Sequence, residues 1–239
     1  MEWIAGDLLD ARVLANLMQD VDTVFHAGGQ LDGPPAEVHR SLVDGTARVL
    51  DLATHARLVY LSSLVVLDTS SPGAQIDATT PLEPAPARRG SYTQAKSAAE
   101  ALVRTAADRQ DVVIVRPGLV IVPGQNAMPP SVALRMGPFW LPVGPGRAEL
   151  PVVEVETVAE GLIAAAERAP RGAVVHLINQ VPVTRRELFE RLRDGLGLLL
   201  PVGPLVLGAA IAAMGFSNTA YRTVAAGRPH RWIPSSPSR

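Results

Sequence analysis

The sequence predicts an α/β fold built around a parallel sheet, and three observations carry that expectation. Short β-branched runs at 21–25, 58–61 and 112–115 are each bounded by polar or turn residues, as buried parallel strands are. Between them, 43–56 and 92–108 carry apolar residues at helical spacing and read as crossover helices. Strand and helix alternate about every fifteen to twenty residues, the rhythm of βα units.

The remaining elements follow in order. Residues 70–86 are rich in Pro and small polar residues and read as a surface loop before the helix 92–108, where such loops often cover a site. A second Pro/Gly-rich stretch runs over 123–146, after which 152–155 reads as a strand, 158–168 as a helix and 174–177 as a strand. Thr184, with Glu187 three residues on, is a capping box that opens another helix. Residues 195–216 carry no charge and are long enough for a membrane span, but five Gly and two Pro favour buried or interface-facing helices.

Composition narrows the function. The 239 residues are 47% apolar with a net charge of −1, which gives no electrostatic reason to expect nucleic acid as a partner. There is no Cys, and the five His show no metal-ligand spacing, so no metal is expected. Gly-x-Ser-x-Gly, His-Glu-x-x-His and P-loop patterns are absent. The start has no basic, apolar leader pattern, so a cytoplasmic location is expected.

Of the 22 basic residues, 21 are Arg and one, Lys96, is Lys. Lys96 stands four after Tyr92 at the start of a predicted helix, on the same face one turn away. A cation so placed lowers the pKa of a phenol, as does the positive end of the helix. A surface i, i+4 pair is the ordinary explanation of such spacing. Chance, however, puts a single Lys four after one of three Tyr about once in eighty, and a compact ammonium is not replaceable by a planar guanidinium. Ser62 and Ser63 follow the strand 58–61 and place hydroxyls at the carboxyl end of a parallel strand, where α/β sheets bind ligands; a plain strand-ending turn is the alternative.

At this point the chain resembles the extended short-chain dehydrogenase/reductases, the epimerase/dehydratase group that includes the 3β-hydroxysteroid dehydrogenase/isomerase branch. The resemblance rests on Gly6-Asp7-Leu8, Asp22-Thr23-Val24-Phe25-His26-Ala27-Gly28, Asp44-Gly45-Thr46, Val59-Tyr60-Leu61-Ser62-Ser63, Ser91-Tyr92-Thr93-Gln94-Ala95-Lys96 with Ala99-Glu100, and Val115-Arg116-Pro117-Gly118. It implies a Rossmann-like, doubly wound parallel sheet and a hydride exchanged between NAD or NADP and a hydroxyl or carbonyl carbon. Tyr92 would be the acid/base, Ser63 would hydrogen-bond the substrate oxygen, and Lys96 would lower the Tyr92 pKa and hold the nicotinamide ribose. Asp7 and Leu8 would lie against the adenine, His26, Ala27 and Gly28 would line the cofactor cleft, and Pro117 and Gly118 would shape the loop beside the nicotinamide.

The sequence also departs from that family. No Gly-x-x-Gly-x-x-Gly precedes Gly6, so the expectation is a Rossmann core that lacks its first βαβ unit. The strand expected at 2–6 would then have no neighbour, and the strand 21–25 would expose an edge. Leu42 stands where the family has an Asn that orders water near the Lys, and Val122 replaces a usual Gly. The expected organisation is a core over 1–122 and a substrate-side region over 123–239, of which 151–168 packs back on the core. The partner is a small-molecule substrate, with room left for a homodimer, and the run 195–216 leans slightly toward a lipophilic substrate. The tail 235–239 reads as disordered. Two other readings stand beside the enzyme: a nucleotide-sensing protein on the same fold, and an inactive fragment.

Overall fold

β-branched runs that alternate with amphipathic helices bury both faces of a parallel sheet. In a computed structural model, which describes residues 3–69, 75–77, 79–122, 128–136, 139–193, 198–199 and 215–216, they do so here. The first half of the chain contributes α1 (Ala11–Leu17), β1 (Thr23–His26), α2 (Pro35–His39), α3 (Gly45–Leu52), β2 (Arg57–Leu61), β3 (Gln75–Ile76), α4 (Ser91–Ala106) and β4 (Val112–Pro117). The second half contributes β5 (Leu119–Ile121), β6 (Ala133–Met136), β7 (Phe139–Pro142), β8 (Glu149–Leu150), β9 (Val152–Glu154), α5 (Val155–Arg168), β10 (Val174–Leu177), β11 (Val183–Thr184) and α6 (Arg185–Arg193). The core sheet is all-parallel, in the order β1-β2-β4-β10.

The period of two in each strand divides this sheet into two packed faces. Leu58, Tyr60, Val112 and Ile114 meet Val49 of α3 and Val103 of α4. Val59, Val113, Val115 and Leu177 meet Val158 and Ala165 of α5 on the other side. β4 is buried along its whole length, which is why 112–115 reads as an unbroken apolar run. α5 and β10 thus come from the second half of the chain to complete the core.

Three sequence expectations change. The helix expected over 43–56 is part of a longer helical stretch, in which α2 passes through a π-helical turn at Arg40–Asp44 into α3 and ends at Leu52. The π turn breaks the 3.6-residue period, so the first half of that stretch shows little apolar rhythm in the sequence. The region 123–146 is not all loop, because β6 and β7 pair as an antiparallel hairpin. The Pro and Gly around it hide a four-residue strand in which Ala133 is buried and Leu134, Arg135 and Met136 are exposed.

The third change is at the expected first strand. Residues 3–7 are irregular and Trp3 is 88% exposed. A parallel strand needs a neighbour for its backbone groups, and among the described residues none pairs with the outer edge of β1, where Phe25 is 46% exposed.

The expectation at the start of α6 holds. The Thr184 capping box is formed in both directions, Glu187 Oε2 accepting from Thr184 N at 2.8 Å and Thr184 Oγ1 from Glu187 N at 3.2 Å. The tail 235–239 lies outside the described residues, as does the run 195–216 apart from 198–199 and 215–216. Among the described residues no helix is long and apolar enough to cross a membrane.

Gly118 marks the crossing from the core to the smaller strands. Gly118 N donates to Leu177 O at 2.9 Å and Leu119 N to Pro151 O at 2.7 Å. A Cβ built on Gly118 would lie 1.8 Å from Pro151 O, a backbone atom that cannot swing aside. Gly118→Ala is therefore expected to destabilise the protein by about 3 kcal/mol, read by urea denaturation. An unchanged midpoint would show that the two backbones need no such approach.

Candidate active site

The site forms where β2 ends and α4 begins. β2 runs out at Leu61, and Ser63 starts a short 3-10 turn over Leu64–Val66, its Oγ accepting from Val65 N at 3.3 Å. α4 starts after Gly90, whose φ of 105° lets the chain turn out of the preceding 3-10 turn. Its first turns lay Tyr92 and Lys96 toward β2.

Tyr92 lies beside the Ser63 side chain, packed against Val38, Leu42 and Ala95. Burial raises the phenol pKa, with the Ser63 contact opposing it. The lowering expected from Lys96 is therefore not what this structure shows. Lys96 is itself buried, and its Nζ donates to Leu61 O at 2.8 Å and lies 5.2 Å from the centre of the Tyr60 ring. Burial brings the ammonium pKa down to about 8, opposed by Glu100. The structure thus brings Ser63, Tyr92 and Lys96 to the carboxyl end of one central strand, with a protonated phenol facing a serine hydroxyl.

The residues expected on the cofactor side lie at the end of β1 and near it. His26 is buried, and its Nε2 donates to Thr46 Oγ1 at 2.9 Å, because that hydroxyl gives its own proton to Leu42 O at 2.6 Å. Ala27 and Gly28 follow directly. Leu8 packs on Gly28, where a Cβ would lie 2.9 Å from Leu8 Cδ1. Asp7 is exposed, and its Oδ1 accepts from Leu9 N at 2.8 Å. Pro117 ends β4, and the absence of a side chain at Gly118 answers to Pro151. Leu42 lies on the π turn with Val38 and Ala95, against Tyr92, so this position offers no polar side chain to a water relay.

These residues fit one half of a dinucleotide. Lys96 has two donors beyond the one given to Leu61, and the backbone from His26 to Gly28 lies at the same edge of the sheet, which suits a nicotinamide riboside. The described residues contain no Gly-x-x-Gly-x-x-Gly turn of the kind that receives a pyrophosphate.

Beneath the site lies a buried polar layer whose pairing the sequence does not show. Glu100 accepts from Ser62 Oγ at 2.6 Å, from Arg116 Nε at 3.0 Å and Nη2 at 2.5 Å, and from Arg104 Nε at 2.8 Å. Arg116 Nη1 also lies 3.3 Å from His176 Nε2. Burial alone would raise the Glu100 pKa, but Arg116, Ser62 and Arg104 hold it below the usual range. The signal in the sequence is a charge or imidazole that interrupts an apolar strand, as Arg116 does after Val115 and His176 does between Val175 and Leu177.

His26 and His176 are both held neutral with pKa values near 4, burial being the main cause and Lys96 and Arg116 respectively the next. An imidazole in an unfolded chain titrates near 6.5. Above that pH the stability is in place; as pH falls from 6.5 toward 4 the unfolded chain takes up the proton first, and stability is lost. The expected loss is on the order of 3 kcal/mol per histidine. His26→Asn keeps a donor but cannot titrate and should remove about half of this dependence, as read by urea midpoints across that range. An unaltered slope would show that His26 is solvated.

Residues 4–152 match the NAD-binding family model described as male sterility protein. A relative in Stigmatella aurantiaca, 4-hydroxy-2-methyl-3-oxo-4-farnesyl-3,4-dihydroquinoline-1-oxide ketoreductase, is 33% identical over 230 residues, 92% of this chain and 68% of its own. The chain belongs to this NAD-binding family of extended short-chain dehydrogenase/reductases.

Among solved structures, Pal from Bacillus thuringiensis superposes with a TM-score of 0.75 at 18% identity, over 96% of this chain and 78% of that one. MoeE5 in complex with UDP-glucose and NAD gives 0.74 at 21%, over 97% and 81%. RMD from Pseudomonas aeruginosa complexed with NADPH gives 0.74 at 22%, over 95% and 82%. All three share the fold.

Proposed function

We propose that this protein is an NAD(P)-dependent ketoreductase in which Tyr92 protonates the carbonyl oxygen of an apolar ketone. The observation that carries this reading is the partly buried Tyr92 phenol beside Ser63, one helical turn from Lys96. A phenol whose pKa is raised stays protonated at neutral pH and acts as an acid, which suits reduction of a carbonyl more than oxidation of an alcohol. The reduced nicotinamide, when bound, supplies the hydride. Ser63 donates to the same carbonyl oxygen and orients it, and Lys96 offers its remaining donors to the ribose.

The ketoreductase relative supports a ketone as substrate, and its name describes a farnesylated, aromatic one. The test is transfer of deuterium from 4-deuterated NADH and NADPH to a panel of alkyl aryl ketones, with UDP-glucose alongside. Deuterium on the carbinol carbon of a ketone product is the expected result. Turnover of UDP-glucose alone, or none with any ketone, would overturn the reading.

A further inference from the structure

Ser63 belongs to the turn after β2, whereas Tyr92 and Lys96 belong to α4. Two separate elements must therefore hold one reacting oxygen between them, and displacement of catalytic groups by about 1 Å costs about a hundredfold in rate. Besides the Lys96–Leu61 hydrogen bond, a buried carboxylate ties these elements together. Ser62, the residue before Ser63, donates to Glu100 at 2.6 Å, and Glu100 lies one helical turn beyond Lys96. Arg116, at the end of β4, grips the same carboxylate through Nε and Nη2. Glu100 and Arg116 are fully buried, and Ser62 is 2% exposed.

We propose that Glu100 is a positioning residue, which locks α4 to the ends of β2 and β4 and thereby sets the distance between Ser63 and the Tyr92/Lys96 pair. The proposal rests on the carbonyl-reducing reading above. Burial of an ion pair is about neutral for stability when compared with apolar groups of the same shape, so stability alone gives no reason for a carboxylate here. Geometry does. With every donor it faces on a different segment (Ser62, Arg116 and, on its own helix, Arg104), Glu100 allows one register of helix on sheet.

The test compares Ser62→Ala, Glu100→Gln and Glu100→Asp in the full chain. Ser62→Ala removes one hydrogen bond and leaves the Glu100–Arg116 pair intact, so it keeps the test alive if Glu100→Gln does not fold. The proposal expects Ser62→Ala to lower kcat about fivefold and Glu100→Gln about thirtyfold, with KM for ketone and for NADPH within threefold and partial recovery of kcat in Glu100→Asp. Unchanged kcat in folded variants, or losses that follow the folded fraction alone, would overturn it.

A second readout needs no turnover. Lys96 is the sole lysine of the chain, so protein made with Cε-labelled lysine gives one side-chain resonance. Tyr60 and His26 from the sheet and Tyr92 and Glu100 from α4 are the titratable groups around it. In the wild type this resonance is expected to titrate at about 8. In Ser62→Ala a loosened α4 admits water, and the midpoint moves up toward the ordinary lysine range. If the wild type reduces no ketone, the function above falls while this titration still judges the clamp: a shifted midpoint supports it and an unshifted one overturns it.

Discussion

Tyr92→Phe is expected to lower kcat for ketone reduction by about a thousandfold and to leave nucleotide affinity within about twofold. The substitution removes one oxygen. The ring keeps its packing beside Val38, Leu42 and Ala95, so the fold has no reason to change. What disappears is the group whose proton meets the carbonyl oxygen as charge develops there, and Ser63 cannot replace it because a serine hydroxyl is a far weaker acid. Steady-state kinetics with the ketone that turns over fastest, together with a thermal melt, give the comparison. A variant with a normal melt and near-normal kcat would mean that Tyr92 is a packing residue and that the protein uses a nucleotide without Tyr92 chemistry.

The second large effect falls on stability. Arg116→Met leaves the Glu100 carboxylate fully buried and without its main counter-charge, with only Ser62 and Arg104 still donating. Breaking one side of a buried pair costs about 3–5 kcal/mol, which for a chain of this size lowers Tm by roughly 10 °C. Replacing both partners, as in Glu100→Leu with Arg116→Met, should recover most of that loss, because no charge is then stranded. Differential scanning calorimetry on both proteins decides it. Equal melting of the single and double variants would show that water reaches the pair.

The parts of this account that could be read from the sequence are those written in local chemistry. The strands at 58–61, 112–115 and 174–177 are legible because both faces are buried and every position is apolar or nearly so. Tyr92 and Lys96 are legible from helical spacing and from the rarity of Lys, and Ser63 from its place after a strand. The π turn at Arg40–Asp44 was not, since one inserted residue shifts the apolar period and leaves nothing local to mark it. Nor was the layer of Ser62, Glu100, Arg116 and His176. Its members are 38, 16 and 60 residues apart in their pairings, and only the sheet order brings them together. The pKa direction of Tyr92 is not legible either, for a related reason. Helical spacing puts an ammonium on the right face, but whether burial or that charge dominates depends on what β2 offers the ammonium, here Leu61 O and the Tyr60 ring.

The most direct test of the central claim, that these residues form a nicotinamide nucleotide site, is a fluorescence titration of the full chain with NADH and NADPH beside its Lys96→Ala variant. The account predicts saturable binding of at least one nucleotide by the wild type and loss of that binding in a variant that remains folded. Equal binding by both proteins, or none by a folded wild type, would contradict it.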